Sequence, residues 1–312
     1  MSPGQKKLTD PPTHLKEAID LVISSKGNTQ NLAAALEALL KEDADGVAWE
    51  VRDVFDVIKN NIIEQFDKMN GPFCDHYKGH LRSATTGLGT AERPVDVKSD
   101  DIKTAIEALV KGLKSFLGYS GSTNFNGNGI IASNGGSYTF TYNNAEWDPA
   151  DAPKCAAIFL GILPAIFFGV TLMYWKCSNN MWKNVYTPPK YFLKQMGYKD
   201  GELNQYKKGS YIITYLSGFT ELETAKAESN DYPKFLKALQ DKALGSTPST
   251  TSPLTSLYLL SYHYITYPLH KVQSSSPATP SFLGYSGPAA LAGGAYGFNL
   301  GGLGTFMSAL LA

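Results

Sequence analysis

Cys74, His76 and His80 fall within one short stretch, CDHYKGH, and form the most metal-like set in the chain. Thiolate and imidazole suit zinc, but a closed structural site takes four ligands. The other histidines, His14, His263 and His270, lie far off in sequence, and no CxxC pair accompanies the cluster. The stretch therefore reads as a surface turn with an ordinary buried thiol, and no metal site is expected. Gly127, Gly129 and Ala132 fit a GxGxxA pattern. A dinucleotide site needs a strand before those glycines and a helix after them, and polar loop flanks them here. No P-loop and no GxSxG elbow is present. The carboxylate pair Asp100 and Asp101 stands at a helix start, where it complements the helix dipole. No nucleophile, base or cofactor cradle converges, so no catalytic, cofactor-binding or metal-binding residue is expected and the chain reads as a non-enzyme.

The cysteines are Cys74, Cys155 and Cys177, too few and too odd a count for a disulfide scaffold. In one straight helix Cys155 and Cys177 stand about 33 Å apart. A disulfide needs Cα atoms within about 7 Å, so a bond between them requires a chain break near Pro164. Lys and Arg together number 28 and Asp and Glu together 28, which leaves no basic excess for nucleic acid. The charge is unevenly placed: from Ala243 to Ala312 only Lys271 is charged. So uncharged a stretch must lie against a core, a partner or lipid.

The elements that must position these groups are mostly helical. Thr13 and Glu17 make a loose capping box for a helix over residues 12–24, with Leu15, Ala18, Ile19 and Val22 on one face and Gly27 as its stop. Further helices are expected at 32–40, 47–69, 100–116, 189–197, 206–217, 231–244 and 254–266. Residues 118–136 form a Gly/Ser/Asn-rich loop, 137–142 a short extended segment, and 246–252 and 272–280 linkers. FLGYSG occurs at 116–121 and again at 282–287, which reads as a helix end closed by Gly, used twice. The fold class is a mostly α multi-helix bundle with long Gly/Ser/Asn-rich loops and at most a short β element. Its regions are 1–117, an N-terminal helical part; 118–153, loop and extended segment; 154–271, helical with the apolar run; and 272–312, linker and Gly-rich apolar segment.

Two uncharged apolar segments stand out. Residues 155–175 (CAAIFLGILPAIFFGVTLMYW) are bracketed by Lys154 and Lys176 and end in Tyr174 and Trp175, where an aromatic belt lies in a spanning helix. The competing reading is a helix in a soluble core, with Pro164 as a potential break. Residues 289–312 place Gly293, Gly297 and Gly301 four apart, a ladder that lets backbones approach closely. Membrane contact is expected through 155–175 or 289–312. Tyr258, Tyr262, Tyr264 and Tyr267, with His263, form an aromatic stripe at helical spacing, read as helix packing with hydroxyls at the rim rather than as an adhesive patch.

Several stretches, in this order, resemble the variant erythrocyte surface antigen-1 family of Babesia. They are 8–20 (LTDPPTHLKEAID), 137–147 (SYTFTYNNAEW), 158–177 (IFLGILPAIFFGVTLMYWKC), 231–239 (DYPKFLKAL), 253–258 (PLTSLY) and 282–312. The resemblance implies a membrane-associated antigen at the surface of the infected host erythrocyte, engaged in antigenic variation and in adhesion to a host endothelial receptor, with a related antigen subunit as a further partner. It implies no cofactor and no catalytic residue. Long members carry a cysteine- and lysine-rich region, which three cysteines do not make. The competing expectation is a soluble helical scaffold that pairs with a partner through its uncharged C-terminal half.

Overall fold

Apolar residues three and four apart build the first helices, and polar side chains set where each begins. The structure is a computed structural model that describes residues 6–41, 44–67, 72–86, 98–119, 125–133, 138–142, 147–179, 187–204, 208–228, 231–244 and 253–275. Helix α1 (Leu15–Ser24) starts one residue later than the capping box suggested: His14 is the N-cap and its Nδ1 accepts from Glu17 N at 3.3 Å. Glu17 still reaches back, accepting from Thr13 N at 2.7 Å and Thr13 Oγ1 at 2.8 Å. Gly27 does not stop this helix. It lies in a 3-10 turn, Ser25–Asn28, that runs straight into α2 (Thr29–Lys41) without leaving the right-handed region. In α3 (Ala44–Asp67), Val51, Phe55, Ile58, Ile62 and Phe66 are all buried along one stripe.

The expected surface turn at CDHYKGH is instead part of a helix, α4 (Pro72–Thr86). Pro72 has the φ that suits a first helical turn, so Gly71-Pro72 marks a start as well as a stop. Tyr77 and Leu81, four apart, then bury fully. Helix α5 (Ser99–Leu117) carries Asp100 and Asp101 in its first turn and closes on Gly118 at φ +76°. Tyr119 N donates to Lys114 O at 2.9 Å there. A Cβ on Gly118 would also lie 2.6 Å from Gly129 N, so glycine is required twice over. The second FLGYSG lies outside the described residues, as do the 246–252 linker and the 289–312 segment.

Helix α6 (Ala152–Ser178) follows, then α7 (Thr187–Gln195), α8 (Gly209–Tyr215), α9 (Thr220–Glu228), α10 (Tyr232–Leu244) and α11 (Pro253–Ser275). Helix α9 has no counterpart in the sequence reading, and α11 runs on to Ser275, through the start of the expected 272–280 linker. The fold is mostly α: helix takes up 79% of the described residues, and no strand occurs among them. The expected extended segment is irregular over 138–142, and among the described residues β pairing is confined to the isolated bridges Tyr119–Phe125 and Ile131–Leu203.

One core joins residues from Leu15 to Ile265, and α6 is its axis. Every residue from Cys155 to Tyr174 is buried, with α1, α2, α3, α4, α8 and α11 packed around it. A helix apolar on all sides must be covered on all sides. Small residues at 157, 161, 165 and 169 let neighbours close in: a Cβ on Gly161 would meet Val54 Cγ1 at 3.1 Å, and one on Gly169 would meet Leu15 Cδ2 at 2.5 Å. Among the described residues α6 is the one helix long and apolar enough to cross a membrane, and its apolar window is wholly enclosed by protein.

Pro164 sits inside α6 without breaking it. Proline has no N–H, so the carbonyl four residues earlier, Leu160 O, loses its helical donor. Ser261 of α11 supplies a replacement, its buried hydroxyl donating to Leu160 O at 2.6 Å. Ser261→Ala should therefore cost about 1–3 kcal/mol, the penalty of an orphaned buried carbonyl. With Pro164→Ala in place the helix supplies its own donor, and the same change should cost far less. Urea midpoints of the four proteins test this; equal Ser261→Ala costs in both backgrounds would sink the idea.

Candidate functional site

Helical spacing puts His76 and His80 on one side of α4, turned toward α6. His80 is buried, its ring stacked 5.5 Å from Phe168 and tilted 5.1 Å from Tyr232, and burial lowers its pKa to about 4. It is a neutral core histidine at ordinary pH. His76 is also lowered, by burial first and then by the charge of Lys176. The side chains of Cys74 and His270 lie outside the described residues. His14 serves as a helix cap and His263 lies buried edge-on to Tyr264. No group of three His, Cys, Asp or Glu among the described residues could hold a metal.

The other residues singled out by type also find structural settings. Gly127 and Gly129 lie in a loop, and no strand or α-helix occurs over the described residues 125–133. The Asn204 amide donates to Gly127 O at 2.7 Å, and Ala132 N donates to Glu202 O at 2.9 Å, tying that loop to residues 202–204. Cys155 and Cys177 are free thiols at opposite ends of the unbroken α6. Burial pushes them up to about 11 and about 12, so neither offers a thiolate at neutral pH. Tyr258, Tyr262, Tyr264 and His263 are buried. Tyr258 stacks on Phe167 at 4.0 Å and 3° between planes. The Tyr264 hydroxyl is not at a rim: it donates inward to Leu40 O at 3.4 Å.

The polar centre that the sequence reading missed lies on α1. Residues 15–23 are buried all the way round, Lys16, Glu17 and Asp20 included. The segment 138–142 covers the polar side of the helix. Asp20, with no exposure, accepts from Tyr138 Oη, from Thr141 N at 3.1 Å and from Thr141 Oγ1 at 3.3 Å. Lys16 Nζ lies 3.3 Å from Asp20, donates to Thr139 O at 3.1 Å and sits 4.3 Å from the centre of the Tyr138 ring. Tyr198 stacks on Tyr138 from the far side. Burial pushes the Asp20 carboxyl up, against the pull of Lys16 and the hydrogen bonds. Lys16, Asp20, Tyr138 and Thr141 satisfy one another in this enclosed set, and its chemistry is attachment of a segment to a helix. The signal was present as an (i, i+4) Lys–Asp pair inside an apolar helix, but its covering partner lies more than a hundred residues away.

A second buried carboxylate, Glu221 of α9, accepts from Leu254 N at 3.2 Å in the first turn of α11. It caps that helix from outside, and burial pushes it up to about 7. A third polar feature is open. A cavity of about 480 Å³ lies between the turn after α1 and the C-terminal half of α5, with Lys26, Lys111 and Lys114 on its wall.

These sites define a helical bundle whose buried polar groups hold elements together. No family model, curated protein or solved structure matches the chain.

Proposed function

We propose that the chain is a non-catalytic surface antigen of the infected erythrocyte, serving antigenic variation and host-cell adhesion, as its resemblance to the variant erythrocyte surface antigen-1 family of Babesia implies. The observation that supports this reading is that the stretches carrying the resemblance meet in space. Asp20 and Lys16 of 8–20 bind the backbone of 137–147. Thr171 Oγ1 of 158–177 lies 3.3 Å from the Tyr232 hydroxyl of 231–239. Phe167 of the same helix stacks on Tyr258 of 253–258. The five stretches of the set that fall among the described residues thus belong to one packing unit, in which a change at one member strains the others. Helices α2–α5 share the same core, whereas exposed positions outside it are not held to that constraint, and surface loops tolerate variation. An antigen that varies while keeping its fold needs this division.

On this reading membrane contact falls to residues 289–312, because α6 spends its whole surface on protein neighbours. The experiment is carbonate extraction of infected-cell membranes combined with protease added outside intact cells. The full chain should stay with the membrane and be cut from outside, and a form lacking 289–312 should be released by carbonate. A chain that is carbonate-soluble and protected inside intact cells overturns the proposal. That outcome would favour the second reading, a soluble helical scaffold, which the complete enclosure of α6 by protein also supports.

A further inference from the structure

Folding alone gives no reason to gather the lysines at the cavity beside α5. Lys114, in the last turn of α5, complements the helix dipole. Lys26 does not share that role. It comes from the 3-10 turn after α1 and lines the same cavity as Lys114, whose ammonium is pushed down to about 8, by burial first and then by the neighbouring Lys26. Lys111 adds a third cation on the same wall, against the single carboxylate of Glu107. None of the three lysines has an ion pair among the described residues, so their charges stay available to a ligand. Thr29 and Ser115 line the cavity with hydroxyls, and the Tyr119 ring lies 5.2 Å from Lys114 Nζ. The volume of about 480 Å³ falls within the range of small-molecule sites.

We propose that this cavity binds a phosphate or sulfate monoester, the oxyanion held between Lys26, Lys111 and Lys114 and the organic group laid against the Tyr119 ring. A tetrahedral oxyanion supplies the acceptors that two facing ammoniums lack, and Thr29 and Ser115 can donate to it. The aromatic wall gives an apolar group a face to cover. The site is separate from the α1 polar centre and does not depend on where the chain resides.

Titration calorimetry of the full chain with phenyl phosphate and phenyl sulfate, at low and moderate salt, tests it. At least one ester should bind, more weakly as salt rises, and which one binds distinguishes the two sources of oxyanion. Lys26→Gln, on an exposed side chain, should weaken binding by about tenfold or more, the loss of one charge-assisted hydrogen bond. The Lys26→Gln/Lys114→Gln pair should abolish it while keeping the helical content and cooperative urea unfolding of the parent chain. Failure of both esters to bind, or unchanged binding in the paired variant, overturns the proposal.

Discussion

Asp20→Ala should destabilise the protein by about 3–5 kcal/mol, the cost of breaking a buried ion pair by removing one partner. The carboxylate has no exposure and gathers Lys16, Tyr138 and Thr141. Its loss leaves the Lys16 ammonium in a buried site with only the Thr139 carbonyl and the Tyr138 ring to face. It also leaves the Thr141 N–H and the Tyr138 hydroxyl without their acceptor. Asp20→Asn keeps an acceptor but not the charge, and its cost should be smaller. Replacing both members, Lys16→Met with Asp20→Leu, should recover much of the loss, because the penalty lies in the unpaired charge rather than in the absence of a bridge. Urea midpoints at neutral pH measure all three. A second readout is local: Asp20 holds residues 138–142 to α1, so Asp20→Ala should open the backbone near Tyr138 and Phe140 to chymotrypsin before the bundle unfolds. A cost below about 1 kcal/mol with no new cleavage would show that this segment is held by the other contacts alone.

The contrast between α3 and α1 shows what the sequence could reveal. In α3 the apolar residues Val51, Phe55, Ile58, Ile62 and Phe66 recur at three and four, and the buried stripe is that pattern. Helix α1 has the same kind of stripe, but its polar side is buried as well, under a segment that arrives from residues 138–142. Periodicity measures one helix against water and carries no information about a late partner. Helix α4 failed for a different reason. Its polar residues and Gly79 dilute the apolar period, and among the described side chains His80 and Lys78 are buried beside Tyr77 and Leu81. The apolar run 155–175 passed the length test for a membrane span, and hydropathy alone does not distinguish lipid from protein as its solvent. The decisive facts are the glycines that admit α3 and α1, and Ser261, whose hydroxyl repairs the carbonyl that Pro164 orphans. The lysine cavity was equally hidden, because Lys26 and Lys114 are brought together only by the packing of α2 and α5.

Glu221 should make stability fall as pH rises from about 4.5 to about 7, and Glu221→Gln should remove that dependence. Burial raises its folded pKa from the ordinary 4.5 to about 7, while in the unfolded chain it titrates near the ordinary value. Between those two values the folded protein holds a proton that the unfolded chain has released, so raising the pH favours unfolding. The stabilisation is complete below about 4.5 and gone above about 7. At about 1.4 kcal/mol per unit, the whole swing is at most about 3.5 kcal/mol. The bonds from Leu254 N and Thr255 N act the other way, favouring the carboxylate, and burial outweighs them. Glutamine keeps an acceptor for the first turn of α11 and has no charge to bury, so the variant should match the parent chain near pH 4.5 and exceed it at pH 8. Other groups titrate in the same window. His14, His76 and His80 are lowered by burial, so their contribution is lost as pH falls below about 6.5, opposite in sign to that of Glu221. Asp20 is raised and shares the sign of Glu221. The test is therefore the difference between the urea stability curves of the parent chain and Glu221→Gln across pH 4.5–8. A difference that stays flat would mean that Glu221 is solvated and that α11 does not draw its first-turn acceptor from α9.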